Sequence, residues 1–319
     1  MKQLGLGLNL STKRTRKREF LGEMERVVPW AALVQVVEPY YPRAKTGRPP
    51  FGIETMLRIH YLQQWFALSD PAMEEALHDM PVFREFAKLG DGVSRLPDET
   101  TILRFRHLLE KHDLANDMLR VVNDILEAKG LMMKKGTVVD ATLIAAPSST
   151  KNAEGQRDPE MKQTKKGNQW YFGMKAHIGV DAQSGLVHNV IGTAANVNDV
   201  TQAGALLHGQ EEVAYGDAGY RGVDKRPEAA GPVWHVAMRH GLRRKLNPFI
   251  QPDFVAEQIE QAKASVRAKV EHPFRVLKRQ FGYTKVRYRG LKKNTAQIVT
   301  LFALSNLWMA RRRLMAVVG

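Results

Sequence analysis

Three acidic residues of this chain occur where a carboxylate is informative. Asp140 interrupts the apolar run TVVDATLI, Asp217 follows a glycine in YGDAGY, and Glu271 lies in the basic stretch ASVRAKVEHPFRVLKRQFG. Burying an unpaired carboxylate in an apolar strand costs several kcal/mol, so a positive partner is expected beside Asp140. If the three acids converge in space, their oxygens suit a hard divalent cation, and Mg²⁺ is the first candidate.

A site of this kind has a definite chemistry. Two divalent ions roughly 4 Å apart can activate a water or a sugar hydroxyl and stabilise the leaving oxygen of a phosphodiester. A metal-binding carboxylate beside DNA needs cations for the phosphates, which would explain one acid in a basic helix. On an ideal helix Arg267, Arg275 and Lys278 share the face of Glu271. Pro273 must kink or restart that helix, so the shared face is approximate.

Each acid also has an ordinary interpretation. Asp140 is compatible with a salt-bridged strand residue, Asp217 with a turn aspartate, and Glu271 with one partner of a surface ion pair. On spacing alone, these alternatives stay open. The ten histidines show no spacing typical of a zinc site, and the chain has no cysteine, which excludes disulfides and thiolate metal sites.

The charge of the chain points to a polyanionic partner. Lys and Arg number 48 against 33 Asp and Glu, a net charge of +15, which favours nucleic acid first and an anionic membrane surface second. The longest apolar stretch, AQIVTLFALSNLWMA, is shorter than the roughly 20 residues of a membrane span. There is no signal-peptide pattern. We therefore expect a soluble cytoplasmic protein without a membrane partner.

The elements that would position the acids fall into three segments. Residues 1–45 form a basic lead-in, whose run TKRTRKR is either a phosphate-binding segment or a solvated tail. Residues 46–131 show helical periodicity and helix-starting signals at Ser69 and Asp98. A third helix bearing Arg104 and Arg106 is compatible with a helix-turn-helix DNA reader. A bundle that merely packs is the alternative.

The character of the chain changes after residue 131, and residues 132–319 predict a mixed α/β domain. Strands are expected at GTVVDATLI, WYFGMKAHIGVD, GLVHNVIGT, EVAYG and WHVAM, and residues 148–169 read as a polar loop. Lys175 and His177 fall on the polar face of their strand, where they would lie beside the metal site, bind phosphate or face solvent. Asp199 is expected to cap the following helix, and Tyr288 in KVRYRGLKKN suits DNA backbone contact or a solvated loop.

Four segments, in this order, carry a resemblance to a known family. VVDATLI, KKGNQWYFGMKAHIGVDAQSG, GDAGYRG and VEHPFRVLKRQFGYTKVRYRGLKKN resemble DDE transposases of bacterial insertion sequences, the insertion-sequence-five family above all. The resemblance covers roughly residues 45–310. It implies an RNase H-like catalytic domain at 132–319 behind a helical N-terminal domain, and it makes Asp140, Asp217 and Glu271 the metal-binding triad.

The family signature around the glutamate is a Tyr, two residues, an Arg, three residues, the Glu, six residues and a Lys. Arg267, Glu271 and Lys278 fit this spacing, whereas Ala264 stands at the tyrosine position. The departure leaves the triad intact. It weakens any DNA contact that the tyrosine would make.

The resemblance implies a transposase that binds the terminal inverted repeats of an insertion sequence. Two Mg²⁺ ions, for which Mn²⁺ would substitute, would assist hydrolysis at each end, and the freed 3′-hydroxyl would attack target DNA. DNA contacts are expected from Arg267, Lys278, Arg275, Lys175 and His177. Cutting two ends together implies a homodimer on double-stranded DNA, associated with the nucleoid in the cytoplasm. The alternatives are a decayed, non-catalytic repressor and an RNase H-like nuclease without strand transfer.

Overall fold

The computed structural model describes residues 15–43, 48–90, 95–153 and 155–318. Within these ranges a layer of helices precedes a mixed sheet, and later helices pack back against both. The early helices are α1 (Arg16–Val27), α2 (Trp30–Val37), α3 (Ile53–Phe66), α4 (Asp70–Asp79), α5 (Pro81–Phe86), α6 (Glu99–Lys111) and α7 (Leu114–Ala128).

Side-chain caps start several of these helices. The Ser69 hydroxyl accepts a hydrogen bond from the backbone N–H of Ala72 at the start of α4, and Asp98 accepts one from Thr101 at the start of α6. Each satisfies a donor that the first helical turn leaves without a partner. The two helix starts predicted at Ser69 and Asp98 are therefore confirmed.

The lead-in contains helices that the sequence did not predict. Thr15 caps α1, and Arg311 of the last helix donates to Glu23 of α1 at 2.9 Å. Phe20 packs edge-on against Trp65. For the described part of this segment, the expectation of a solvated tail is wrong, because α1 and α2 belong to the main core. Residues 12–14 of the basic run lie outside the described residues.

The sheet contains β1 (Gly136–Ala145), β2 (Lys162–Lys166), β3 (Gln169–Asp181), β4 (Val187–Ala194), β5 (Val213–Gly216) and β6 (Val233–Val236). The long strand β3 pairs antiparallel with β1 along one edge and with β2 and β4 along the other. On the far side of β1, β5 is parallel to β1 and β6 is parallel to β5. The strands predicted for this region are confirmed, and the fold is mixed α/β.

Strand β2 corrects the prediction of a loop over residues 148–169. Lys162 to Lys166 pair with β3, and the tight turn between the two strands contains Gly167 at a φ of +62°. Most of β2 is exposed, so it lacks the alternation of apolar and polar residues that marks a half-buried strand. The sequence offered no periodic signal for it.

After β6 come α8 (His240–Arg243), α9 (Gln251–Arg267), α10 (Glu271–Arg275) and α11 (Leu291–Val318). A 3₁₀ turn over Ala268–Val270 separates α9 from α10, and a π-helical turn over Val276–Gln280 follows α10. Pro273 lies in the first turn of α10, where a backbone donor has no intrahelical acceptor. The predicted restart of the helix near Pro273 is confirmed.

Two hydrophobic clusters cover the two faces of the sheet. The main one joins α7, α11 and the early helices to the face of β1 that carries Val138. The smaller one contains Val139, Val200 and Tyr220 and covers the opposite face. Asn306 of α11 ties this helix to the sheet through hydrogen bonds with both backbone groups of Val187. No helix in the described ranges is long and apolar enough to cross a membrane.

Candidate active site

The parallel pairing of β1 with β5 brings Asp140 and Asp217 together. Val138 pairs with Tyr215 in this ladder. Counting two residues further along both strands brings Asp140 level with Asp217, which directly follows β5. Because side chains alternate along a strand, Asp140 lies on the same face as Val138, toward the helices.

The turn after β5 holds Asp217 in place. The Asp217 Oδ1 atom accepts a hydrogen bond from the backbone N–H of Gly219 at 2.8 Å. Tyr220 is fully buried beneath this turn, and a Cβ at Gly216 would lie 2.9 Å from the Tyr220 Cβ. Glycine is needed at position 216 because the Tyr220 side chain occupies that space.

Glu271 reaches the site through the 3₁₀ turn that precedes it, which packs on β1. The Lys269 Nζ atom donates to the carbonyl of Ala182 at 2.6 Å, and Val270 is buried. Gly185, in the turn between β3 and β4, has a φ of +74°, and a Cβ there would lie 3.2 Å from the Lys269 carbonyl. These contacts fix the start of α10, so the exposed Glu271 side chain is presented next to β1.

The electrostatics of Asp140 reflect the convergence of the three acids. The pKa of Asp140 is raised to about 7, mainly by burial; the charges of Asp217 and Glu271 contribute to this rise, while the Ala141 N–H and Arg267 oppose it. Asp140 therefore interacts with both other acids. Three carboxylates in one field repel one another, so this donor set fits a hard divalent cation.

The spacing of the three acids is wider than that of a compact single-ion site. In the part of the chain that the structure describes, one group of three His or acidic residues has its ligand atoms within 4.8 Å of one another, and it lies elsewhere in the sheet. Asp140, Asp217 and Glu271 do not close to that distance.

The predicted basic residues around Glu271 differ in their settings. The Lys278 Nζ atom donates to Thr142 Oγ1 at 2.5 Å and lies 3.3 Å from the Leu143 carbonyl, so it is anchored on β1 beyond Asp140. Burial lowers the pKa of the Lys278 ammonium, and the nearby charge of Glu271 opposes that shift. Arg267 is partly buried next to Asp140, whereas Arg275 is exposed.

Lys175 and His177 lie on the other face of the sheet. Ala141 pairs with His177 across β1 and β3, so the His177 side chain points away from the face that carries Asp140. His177 is fully buried, with Nε2 2.8 Å from Thr193 Oγ1. The prediction that His177 contacts DNA is wrong, because a side chain without exposed surface cannot touch it.

Lys175 forms an ion pair with Asp199, which the sequence analysis expected to cap the following helix. Its Nζ atom donates to Asp199 Oδ1 at 2.8 Å and to the Val197 carbonyl at 2.7 Å. Asp199 does not cap the following turn, where Asn198 holds the capping position. The prediction that Asp199 caps this helix is therefore wrong, and its side chain instead pairs with Lys175 on the face of the sheet opposite Asp140.

Arg106 and Tyr288, which the sequence analysis considered as possible DNA contacts, contact each other inside the protein. The Arg106 guanidinium is buried, donates to Asp70 and Glu110, and stacks 4.2 Å over the Tyr288 ring. Neither residue is placed as a DNA contact. Arg104, on the same helix α6, is exposed.

A cavity of about 480 Å³ in the helical layer was not predicted. Arg48, Arg95 and Arg104 line it, and the Arg95 guanidinium lies 3.8 Å over the ring of Phe51. These arginines come from three separate segments, so no local sequence pattern could have grouped them.

Two family models match the chain. Residues 132–307, more than half of the chain, match the model described as Transposase DDE domain, and residues 9–108 match the model described as Transposase domain (DUF772). No solved structure matches the chain.

Proposed function

This chain belongs to the Transposase DDE domain family, and from that premise we propose that it cuts the ends of an insertion sequence and joins them to target DNA. Within the family, the motif order favours the insertion-sequence-five type. The observation that carries the proposal is the level placement of Asp140 and Asp217 on adjacent parallel strands, with Glu271 beside them.

Asp140, Asp217 and Glu271 would hold the divalent metal that members of this family use. Two bound Mg²⁺ ions, or Mn²⁺ in their place, would supply the charge that activates a water or hydroxyl and stabilises the leaving oxygen. Asp140 would be the shared carboxylate, since it interacts with both other acids.

The chain's own cations would place the DNA. Arg267 lies beside Asp140. Lys278 is hydrogen-bonded to Thr142, which lies two residues after Asp140 on β1. Arg275, exposed in the last turn of α10, would extend this basic edge along a phosphate backbone. Ala264 is exposed on α9, so no ring is available at the family's tyrosine position.

The helical layer would bind the terminal inverted repeats. The arginine-lined cavity made by Arg48, Arg95 and Arg104 supports this role, since guanidinium groups bind phosphate in a bidentate manner. Because two ends must be cut together, we expect a homodimer on DNA. For residues 132–319 we propose an RNase H-like fold, supported by three antiparallel strands (β1, β3, β4) followed by two strands parallel to the first.

The test is a product analysis with duplexes that carry the DNA flanking the gene. A transposase yields a nick at the repeat tip and, with target DNA added, a joined product, both dependent on Mg²⁺. Cleavage without a joined product would instead support an RNase H-like nuclease. Binding to the repeats without cleavage would support a decayed copy that acts as a repressor.

A further inference from the structure

A cluster of two histidines and a glutamate lies apart from the acidic triad. His188 belongs to β4, His208 follows the 3₁₀ turns after β4, and Glu211 precedes β5. Glu211 and Asp217 lie at opposite ends of β5. Thr137, which contacts both Glu211 and His188, lies three residues before Asp140 on β1, about 10 Å of extended chain. Its side chain lies on the opposite face of the sheet, so the cluster is distinct from the acidic triad. Its sequence spacing gave no sign of a metal site.

The cluster is compact and largely shielded from solvent. One ring nitrogen from each histidine and one carboxylate oxygen of Glu211 lie within 4.8 Å of one another. The two imidazole rings are nearly perpendicular, with centroids 4.9 Å apart. The Glu211 side chain is 1% exposed and that of His208 is 12% exposed, so His208 offers the route of access.

The glutamate is held by donors that orient it. Glu211 Oε1 accepts from the backbone N–H of His208 at 2.6 Å and from the Thr137 hydroxyl at 3.0 Å. Its Oε2 atom accepts from the backbone N–H of Gly209 at 2.8 Å. A carboxylate oxygen can accept more than one bond, so Oε2 retains capacity for a further ligand.

A single hydroxyl proton sets the tautomer of His188. Thr137 gives its proton to Glu211, so it must accept from His188 Nε2, which lies 3.0 Å away. The His188 Nδ1 atom then carries a lone pair, and it is buried with no hydrogen-bond partner among the described residues. In metal-binding histidines, the ring nitrogen that does not bind the metal commonly donates a hydrogen bond in this way, and this bond orients the ring.

His208 supplies the second ring nitrogen. Within the described part of the chain its Nε2 atom is also buried without a hydrogen-bond partner, and it lies 3.3 Å from Glu211 Oε1. Its Nδ1 atom accepts from the backbone N–H of Gln210 at 3.3 Å, a long bond, so Nε2 carries the ring proton. A cation at Nε2 therefore requires the other neutral tautomer, in which the ring proton moves to Nδ1 and the long hydrogen bond from Gln210 is given up.

We propose that His188, His208 and Glu211 bind a transition-metal cation of the Zn²⁺ type. Two imidazole nitrogens and a carboxylate oxygen suit Zn²⁺, with a water at a fourth position, whereas Mg²⁺ prefers oxygen ligands alone. The bound cation ties β4 to the segment that leads into β5. It is a structural site, and it does not depend on the proposed function of the acidic triad.

The test uses the full chain without a histidine tag, dialysed against chelator. Zn²⁺ is titrated by calorimetry, and Co²⁺ is used as a spectroscopic probe with visible ligand-field bands. With excess Mg²⁺ present to occupy the acidic triad, we expect one equivalent of Zn²⁺ with a Kd below about 10 µM, a raised Tm, and Co²⁺ bands. Absence of saturable Zn²⁺ binding below that concentration would overturn the proposal.

Variants locate the site. His208→Gln should weaken Zn²⁺ binding at least about 100-fold and abolish the Co²⁺ bands, and His188→Gln should do the same if it folds. The matched control is His78→Gln, which changes an exposed histidine on α4. Asp140→Asn, in the acidic triad, should also leave the Co²⁺ bands unchanged. Unchanged Zn²⁺ affinity in a folded His208→Gln variant would refute the assignment.

Discussion

Asp217 raises the pKa of Asp140, because the two aspartates lie at the same level of the parallel strands β1 and β5. Among the described residues, the hydrogen bonds that Asp140 and Asp217 accept come from local backbone N–H groups, those of Ala141 and Gly219 respectively. The pair is thus poised to gain a cation. The predictions below follow from this relationship and from its surroundings.

Asp140→Asn should stabilise the metal-free protein at alkaline pH. Burial raises the pKa of Asp140 from 3.8 to about 7, so the folded state holds a proton that the unfolded state releases. The associated stability is complete below pH 3.8 and is lost as the pH rises to 7. Asparagine cannot ionise and avoids this loss. We expect a gain of about 2 kcal/mol at pH 8, below the roughly 4 kcal/mol that three pKa units allow.

Urea unfolding in chelator, from pH 4 to pH 8, measures this gain. The difference between Asp140→Asn and the wild type should grow up to about pH 7 and stay constant above it. A difference that does not change with pH would show that Asp140 titrates normally. Adding Mg²⁺ at pH 8 should stabilise the wild type and leave the variant unaffected, since the cation would neutralise the Asp140 carboxylate, which asparagine lacks.

Arg106 and Arg104, two residues apart on α6, should respond in opposite ways to the same substitution. Arg106→Met leaves Asp70 and Glu110 without their buried partner, and we expect a loss of about 3 kcal/mol or more of unfolding free energy. Arg104→Met should leave stability within about 0.5 kcal/mol but weaken binding to the terminal repeats. Urea unfolding and a binding titration on both variants decide the matter. Equal stability losses would remove Arg104 from the proposed DNA surface.

Lys278→Met should lower DNA cleavage while the chain stays folded. Methionine retains the apolar stem, and the variant loses the ammonium held by Thr142 near Glu271. We expect at least a tenfold slower cleavage step, roughly 1.4 kcal/mol in the barrier, measured under single-turnover conditions. Arg279→Met, an exposed neighbour, is the control. An equal effect in the two variants would mean that only net charge matters.

Much of the sheet could be predicted from local patterns. The alternation in β3 fixed its two faces, and the glycines around Asp217 indicated the turn that follows β5. Alternation along β3 cannot show which of its two faces is the one that carries the Asp140 carboxylate of the neighbouring strand β1. The pairing of Ala141 with His177 decides this, and it places Lys175 and His177 away from Asp140. Register is a tertiary property, so the sequence alone could not place these two side chains relative to Asp140.

The remaining errors have the same origin in long-range contacts. Arg106 looked available because its partners Asp70 and Tyr288 come from distant parts of the sequence. The histidine cluster was invisible for the same reason, since only the fold brings His188 next to His208. Asp140, Asp217 and Glu271 were singled out because each acid stands out against its immediate neighbours, and the family resemblance then grouped them.

The most direct test of the central claim is single-turnover cleavage of an end duplex in Mg²⁺ by the wild type, Asp217→Asn and Asp224→Asn. Asp224 is an exposed aspartate seven residues further along and serves as the matched control. Loss of a metal-binding carboxylate removes several kcal/mol of transition-state stabilisation. The account predicts at least about a 100-fold slower cleavage for Asp217→Asn, with unchanged repeat binding, and wild-type rates for Asp224→Asn. Wild-type cleavage by Asp217→Asn would contradict it.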